Sequence, residues 1–103
     1  MQEITLAEFI TAIEEGSKRN TRYFVENMDD GTVYLYLPGS MITVSRADGE
    51  LEIFSPGQRP EVFLGFRAIE QIYREGRRFS LRLRCGLSDI TITEESNESK
   101  RSH

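Results

Sequence analysis

Three turn dipeptides, Asp30-Gly31, Pro38-Gly39 and Asp48-Gly49, fall at short intervals in the segment from Arg22 to Phe54. Glycine and aspartate tolerate positive φ, and Pro-Gly suits the centre of a type II turn. Between the dipeptides, apolar and polar residues alternate with the period of a strand. The segment therefore reads as a four-stranded antiparallel meander. A two-residue turn at Pro38-Gly39 pairs Leu35 with Ile42 and Val33 with Val44. A two-residue turn at Asp48-Gly49 pairs Val44 with Ile53, and a three-residue loop at Asp29-Asp30-Gly31 pairs Val25 with Leu35. These registers place Val33, Leu35, Ile42, Val44, Leu51 and Ile53 on one face, because side chains alternate across a sheet.

An amphipathic helix precedes the meander. Thr5 and Glu8 have the spacing of a capping box, and Ile4 and Phe9 that of a hydrophobic staple. Leu6, Phe9, Ile10 and Ile13 form one stripe, and Gly16 reads as the stop. After the break "SPGQRPE", Phe66, Ile69, Ile72 and Tyr73 repeat at helical spacing and predict a second helix over about 62–75, ended by Gly76. The stretch "REGRRFSLRLRCGLSDITI" then reads as a hairpin. A type II′ turn at Gly86-Leu87 pairs Leu83 with Ile90, Leu81 with Ile92, Arg84 with Asp89 and Arg82 with Thr91.

The expected fold is thus α+β, an antiparallel sheet (four-stranded meander plus C-terminal hairpin) with two helices packed on it, in the order α-β-β-β-β-α-β-β. A chain of 103 residues supports one core, assigned to residues 1–94. The tail 95–103 carries no apolar residue and is expected to be disordered. In element order and acidity the chain loosely resembles the small acidic chaperones of bacterial type III secretion, an analogy at the level of the fold only. The opening "MQEITLAEFI" has no basic region followed by an apolar core, and the single cysteine, Cys85, offers no intramolecular disulfide. Both point to the cytoplasm.

The side chains argue against several chemistries. The one histidine, His103, is terminal, so no Ser-His or Cys-His pair sits on a scaffold. One cysteine and one histidine do not make a zinc site. No cofactor, metal or catalytic residue is predicted, and the glycines are accounted for by turns. Cys85 reads as a buried small hydrophobe at the end of an apolar alternation. The adjacent carboxylates Asp29-Asp30 and Glu14-Glu15 keep a carboxylate-dependent enzyme as an alternative.

Two features suggest binding. Tyr34, Tyr36 and Phe54 fall on the outer face of the meander, and aromatic residues are enriched in interface hot spots. Five arginines crowd residues 74–84 of a chain whose net charge is −4. The helix dipole accounts for Arg74, while Arg77, Arg78, Arg82 and Arg84 are available for carboxylates or phosphates. The expected function is a small non-enzymatic interaction module that binds a protein partner or itself through Tyr34, Tyr36, Phe54, Arg77, Arg78, Arg82 and Arg84. A nucleic-acid-binding accessory protein using the arginine strand is the other alternative.

Overall fold

A computed structural model describes residues 1–29, 32–60, 62–84 and 89–95, with the side chains of residues 28, 29 and 32–34 excepted. The elements are β1 (Gln2–Ile4), α1 (Leu6–Lys18), β2 (Tyr23–Asp29), β3 (Thr32–Ser45), β4 (Glu50–Phe54), β5 (Val62–Gly65), a 3-10 turn (Phe66–Ala68), β6 (Ile69–Glu75), β7 (Arg78–Leu83) and β8 (Asp89–Glu94). All strand pairs are antiparallel and form one sheet in the order β1-β6-β7-β8-β2-β3-β4-β5.

That order forces the sheet to roll. In a flat sheet the six steps from β6 to β5, at about 4.8 Å each, would separate them by about 29 Å. Only Phe66–Ala68 connect them, and the four Cα steps from Gly65 to Ile69 reach at most about 15 Å. The strands therefore curl around a common interior. Phe9 and Ile13 of α1 enter it and share one core with Tyr23, Val25, Ile42, Leu51, Ile53, Leu64, Ile72, Phe79, Leu81 and Ile92. Arg67 and Ala68 are held to the far strands, since Arg84 N donates to Ala68 O at 2.8 Å and Arg84 Nε to Arg67 O at 2.7 Å.

The first helix starts as the sequence predicts. Thr5 Oγ1 accepts from Glu8 N and Glu8 Oε1 accepts from Thr5 N, both at 3.0 Å. Gly16 is not its stop. The helix continues to Lys18, and Gly16 is buried where a Cβ would overlap the Tyr23 hydroxyl. The glycine makes room for a tyrosine ring rather than ending a helix.

The second helix is absent, and residues 62–75 form β5, the 3-10 turn and β6. The misleading signal was the spacing of Ile69 and Ile72. Ile69 pairs with Leu83 but Gln71 with Arg82, so the ladder shifts register between them. This bulge adds a residue to the strand and brings two positions three apart onto the inner face, which imitates a helical repeat. Gly76, expected as a helix stop, is the first residue of the two-residue β6–β7 turn, where φ +59 suits glycine. Arg74 accordingly owes nothing to a helix dipole: its guanidinium lies 4.9 Å from the Phe79 ring centroid, and its Nε donates to Gly76 O at 3.2 Å. With that helix goes the element order on which the likeness to secretion chaperones rested.

The meander is corrected too. Pro38-Gly39 does not reverse the chain. Tyr23 pairs with Ser40 and Val25 with Leu37, so Pro38 and Gly39 together oppose Phe24 as a bulge inside one long strand. Proline needs no ladder donor there, and Gly39 adopts φ +66. Gly39 N donates to Glu95 Oε2 and Ser40 Oγ to Leu37 O, at 3.0 and 3.1 Å. The kink lets β3 pair with β2 before it and with β4 after it. Val25 pairs with Leu37 rather than Leu35, and Asp29 with Thr32. Asp30-Gly31 lies outside the described residues.

Two registers differ from expectation by two residues. Val44 pairs with Leu51 and Ile42 with Ile53, across a longer β3–β4 turn. Leu81 pairs with Ile90, Phe79 with Ile92 and Arg82 with Asp89. The hydrogen bonds of Arg84 to Arg67 and Ala68 draw it away from Asp89. Cys85 and the Gly86-Leu87 turn lie outside the described residues, as do residues 96–103. Among the described residues, no helix is long and apolar enough to cross a membrane.

Candidate functional site

The inward side of the rolled sheet is core, so any binding residue of these strands must lie on the outer side. Alternation decides which residues those are. Tyr23 and Val25 are buried, which turns Phe24 and Glu26 outward, and Phe79 and Leu81 turn Arg78, Ser80 and Arg82 outward. Ile90 and Ile92 do the same for Thr91 and Thr93. The registers then align these residues across strands. One row runs Tyr73, Ser80, Thr91, Glu26, Tyr36 from β6 to β3. A second runs Glu75, Arg78, Thr93, Phe24. The third contains Gln71, Arg82 and Asp89, the last paired with the backbone of residue 28 in β2.

Phe24 and Tyr36 meet edge to face, with centroids 4.9 Å apart and an interplanar angle of 85°. Tyr36 is 59% exposed. Such a pair covers much apolar area with little side-chain entropy to lose on docking. Arg78 and Arg82 are exposed, and among the described residues neither has a carboxylate within ion-pair distance. The small side chains of Ser80, Thr91 and Thr93 leave the centre of the face low. Two depressions result, one of about 420 Å³ between Phe24, Arg78 and Thr93, the other of about 360 Å³ between Tyr73, Ser80 and Arg82.

Of the residues singled out in the sequence, Tyr36, Arg78 and Arg82 share this face. The side chain of Tyr34 is outside the described set. Phe54 pairs with Met41 beyond the β3 kink, on the other half of the sheet, so it does not join Tyr36. Arg77 is exposed at the tip of the β6–β7 turn, where its carbonyl accepts from Glu94 N at 2.8 Å. Arg84 is bound to the 3-10 turn. Phe24 and Tyr73 were missed. Strand alternation would have found Phe24 once Val25 was placed inward, whereas Tyr73 was hidden by the assignment of its segment to a helix.

Of the two carboxylate pairs, Glu14-Glu15 is engaged by basic neighbours, and the side chains of Asp29-Asp30 lie outside the described residues. Glu14 accepts two hydrogen bonds from Arg46, at 2.7 Å from Nε and 2.8 Å from Nη2, and this guanidinium holds its pKa below the usual carboxylate value. Glu15 lies 3.6 Å from Lys18. Asp48, Glu50 and Glu52 bring carboxylate oxygens within 4.8 Å of one another at the β3–β4 turn, where Asp48 accepts from Ser45 Oγ at 3.0 Å. Burial raises the pKa of the Tyr23 phenol, which belongs to the core rather than to the outer face.

No protein-family model matches the chain, and no curated protein or solved structure shows significant similarity to it.

Proposed function

We propose that the chain is a small non-enzymatic protein-binding module that docks through the outer face of β6, β7, β8, β2 and β3. The observation that carries this reading is the Phe24–Tyr36 pair, with Tyr36 59% exposed and Arg78 across a shallow depression from Phe24, on a sheet face whose helix lies on the opposite side. Aromatic anchors beside arginine, around a low centre of small polar residues, are the composition of an interface core. Arg78 and Arg82 stand among Glu26, Glu75 and Asp89, which would repel a phosphate backbone, so a protein surface suits the face better than nucleic acid. A single cysteine suits the reducing cytoplasm.

The test is affinity capture with cross-linking from the source cell, comparing the wild type with Tyr36→Ala and Arg82→Glu. Both side chains are exposed, so circular dichroism should show unchanged folding. Loss of the same captured protein in both variants is the expected result. Undiminished capture by both would overturn the assignment of this face.

A further inference from the structure

We infer that the occupant of the outer face is a second copy of this chain, related to the first by a two-fold axis running along β8. The inference rests on the reading of that face as a protein-binding surface, and it names the partner.

The strand order β6-β7-β8-β2-β3 is symmetric about β8 in position. A two-fold axis along β8 lays two faces against each other, exchanging β7 with β2 and β6 with β3. The residues in those positions are complementary. In the row Tyr73, Ser80, Thr91, Glu26, Tyr36, the axis places Tyr36 against Tyr73 of the second copy, Glu26 against Ser80, and Thr91 against itself. In the neighbouring row, Phe24 meets Arg78 of the second copy, a cation over an aromatic face. Arg82 of the second copy falls over β2 at Met28, two residues beyond Glu26. Glu26 is therefore bracketed by two arginines of the other copy, each about 7 Å away along the strand. Long arginine side chains span that offset, including the crossing angle of about 30° between packed sheets.

Charge also selects the direction of the axis. A two-fold axis across the strands would stack Arg78 near Arg82 of the second copy, with like charges opposed. The axis along β8 avoids this, so the arrangement of charges on one chain favours one orientation. Like charges meet at Asp89 near the end of the axis, where Arg82 stands across the ladder from it, and at the rim, where Glu75 comes over the Gly39 bulge that holds the Glu95 carboxylate. Ser80, Thr91 and Thr93 let the two centres approach, while the tyrosines fill the rims.

The area sets the expected strength. Laid flat, five strands about 4.8 Å apart with three outward positions about 6.8 Å apart would give at most roughly 24 by 20 Å, and the roll of the sheet brings less than this into contact. About 480 Å² per copy is below the roughly 800 Å² of a standard interface. The dimer is therefore expected to form at micromolar or higher concentration.

The experiment is light scattering from about 10 μM to about 1 mM, the range such an interface calls for, joined to site-directed cross-linking. In a Cys85→Ser background, Thr91→Cys on the axis should be captured as a dimer by a short bis-maleimide, and Glu15→Cys on the outward side of α1 should not. Glu26→Arg should raise the dissociation constant at least tenfold, and adding Arg78→Glu with Arg82→Glu should restore it. Tyr36→Ala is a second variant, with an exposed side chain, for which weakening is again expected. A monomer throughout the range would overturn the second copy as occupant, while the capture experiment with Tyr36→Ala and Arg82→Glu would still decide whether the face binds a different protein. A dimer that cross-links through residue 15 but not 91, or that ignores both Glu26→Arg and Tyr36→Ala, would overturn the inference and the choice of face together.

Discussion

Replacing Gly16 with alanine separates helix propensity from packing, because the two predict opposite signs. In a helix interior Gly→Ala is favourable by about 1 kcal/mol, since alanine loses less backbone entropy. At Gly16 the new methyl would overlap the hydroxyl of Tyr23, whose side chain is 2% exposed and locked among core residues. Overpacking a well-filled core costs about 1–3 kcal/mol, and overlap with a ring that cannot swing into solvent lies towards the upper end. The net expectation is destabilisation by about 1–2 kcal/mol. Urea unfolding followed by circular dichroism reads this as a lower midpoint with an unchanged slope. The control is the same substitution in a Tyr23→Phe background. Removing the hydroxyl leaves the ring carbon Cζ at 3.3 Å, a tight contact that a small shift relieves. There Gly16→Ala should be neutral or stabilising, giving a coupling of about 1–3 kcal/mol in the double-mutant cycle. A Gly16→Ala protein more stable than the wild type would refute the packing argument.

Thr5→Ala removes a hydroxyl that caps α1 and should cost about 1 kcal/mol, read from the same unfolding curves. The Arg46 partnership lowers the Glu14 pKa, so its contribution is present above the unfolded value of 4.5 and is lost as pH falls through the lower folded value. Stability measured against pH should therefore decline less on the acid side in Glu14→Gln than in the wild type. The raised pKa of Tyr23 works at the other end: its contribution is intact below the unfolded value of 10.0 and is lost as pH rises through the higher folded one. An absorbance titration near 295 nm should show one tyrosine ionising last and together with unfolding, and Tyr23→Phe should remove that step.

What the sequence disclosed depended on how local the signal was. The start of α1 was legible because Thr5 and Glu8 satisfy each other within one turn. The inward and outward faces were legible despite wrong registers at Val44 and Leu81, because each error was two residues and alternation has a period of two. The strand β6 was not legible, since a bulge between Ile69 and Gln71 gave it a helical spacing. Nor was the continuity of β3, because Pro-Gly serves a bulge as readily as a turn, and only the pairing of Tyr23 with Ser40 distinguishes them. For the candidate surface, Tyr36 and Arg82 followed from alternation, and Arg78 from the crowding of arginines before the hairpin. Their juxtaposition with Phe24 and Tyr73 required β8 to pair with β2, a contact between distant parts of the chain that no local pattern encodes.

That same β2–β8 seam has a kinetic meaning. Strands β2 to β5 and strands β6 to β8 each pair with their neighbours in sequence, so each meander can assemble by short loop closures. The seam joins Val25 to Ile92 and closes about two thirds of the chain into a loop, at an entropic cost that grows with the logarithm of its length. Folding is then governed by a late joining event, slow in the manner of topologies rich in distant contacts. Substitutions along the seam that do not form before that event will change how fast the protein comes apart, whereas tighter hairpin turns within a meander will change how fast it comes together.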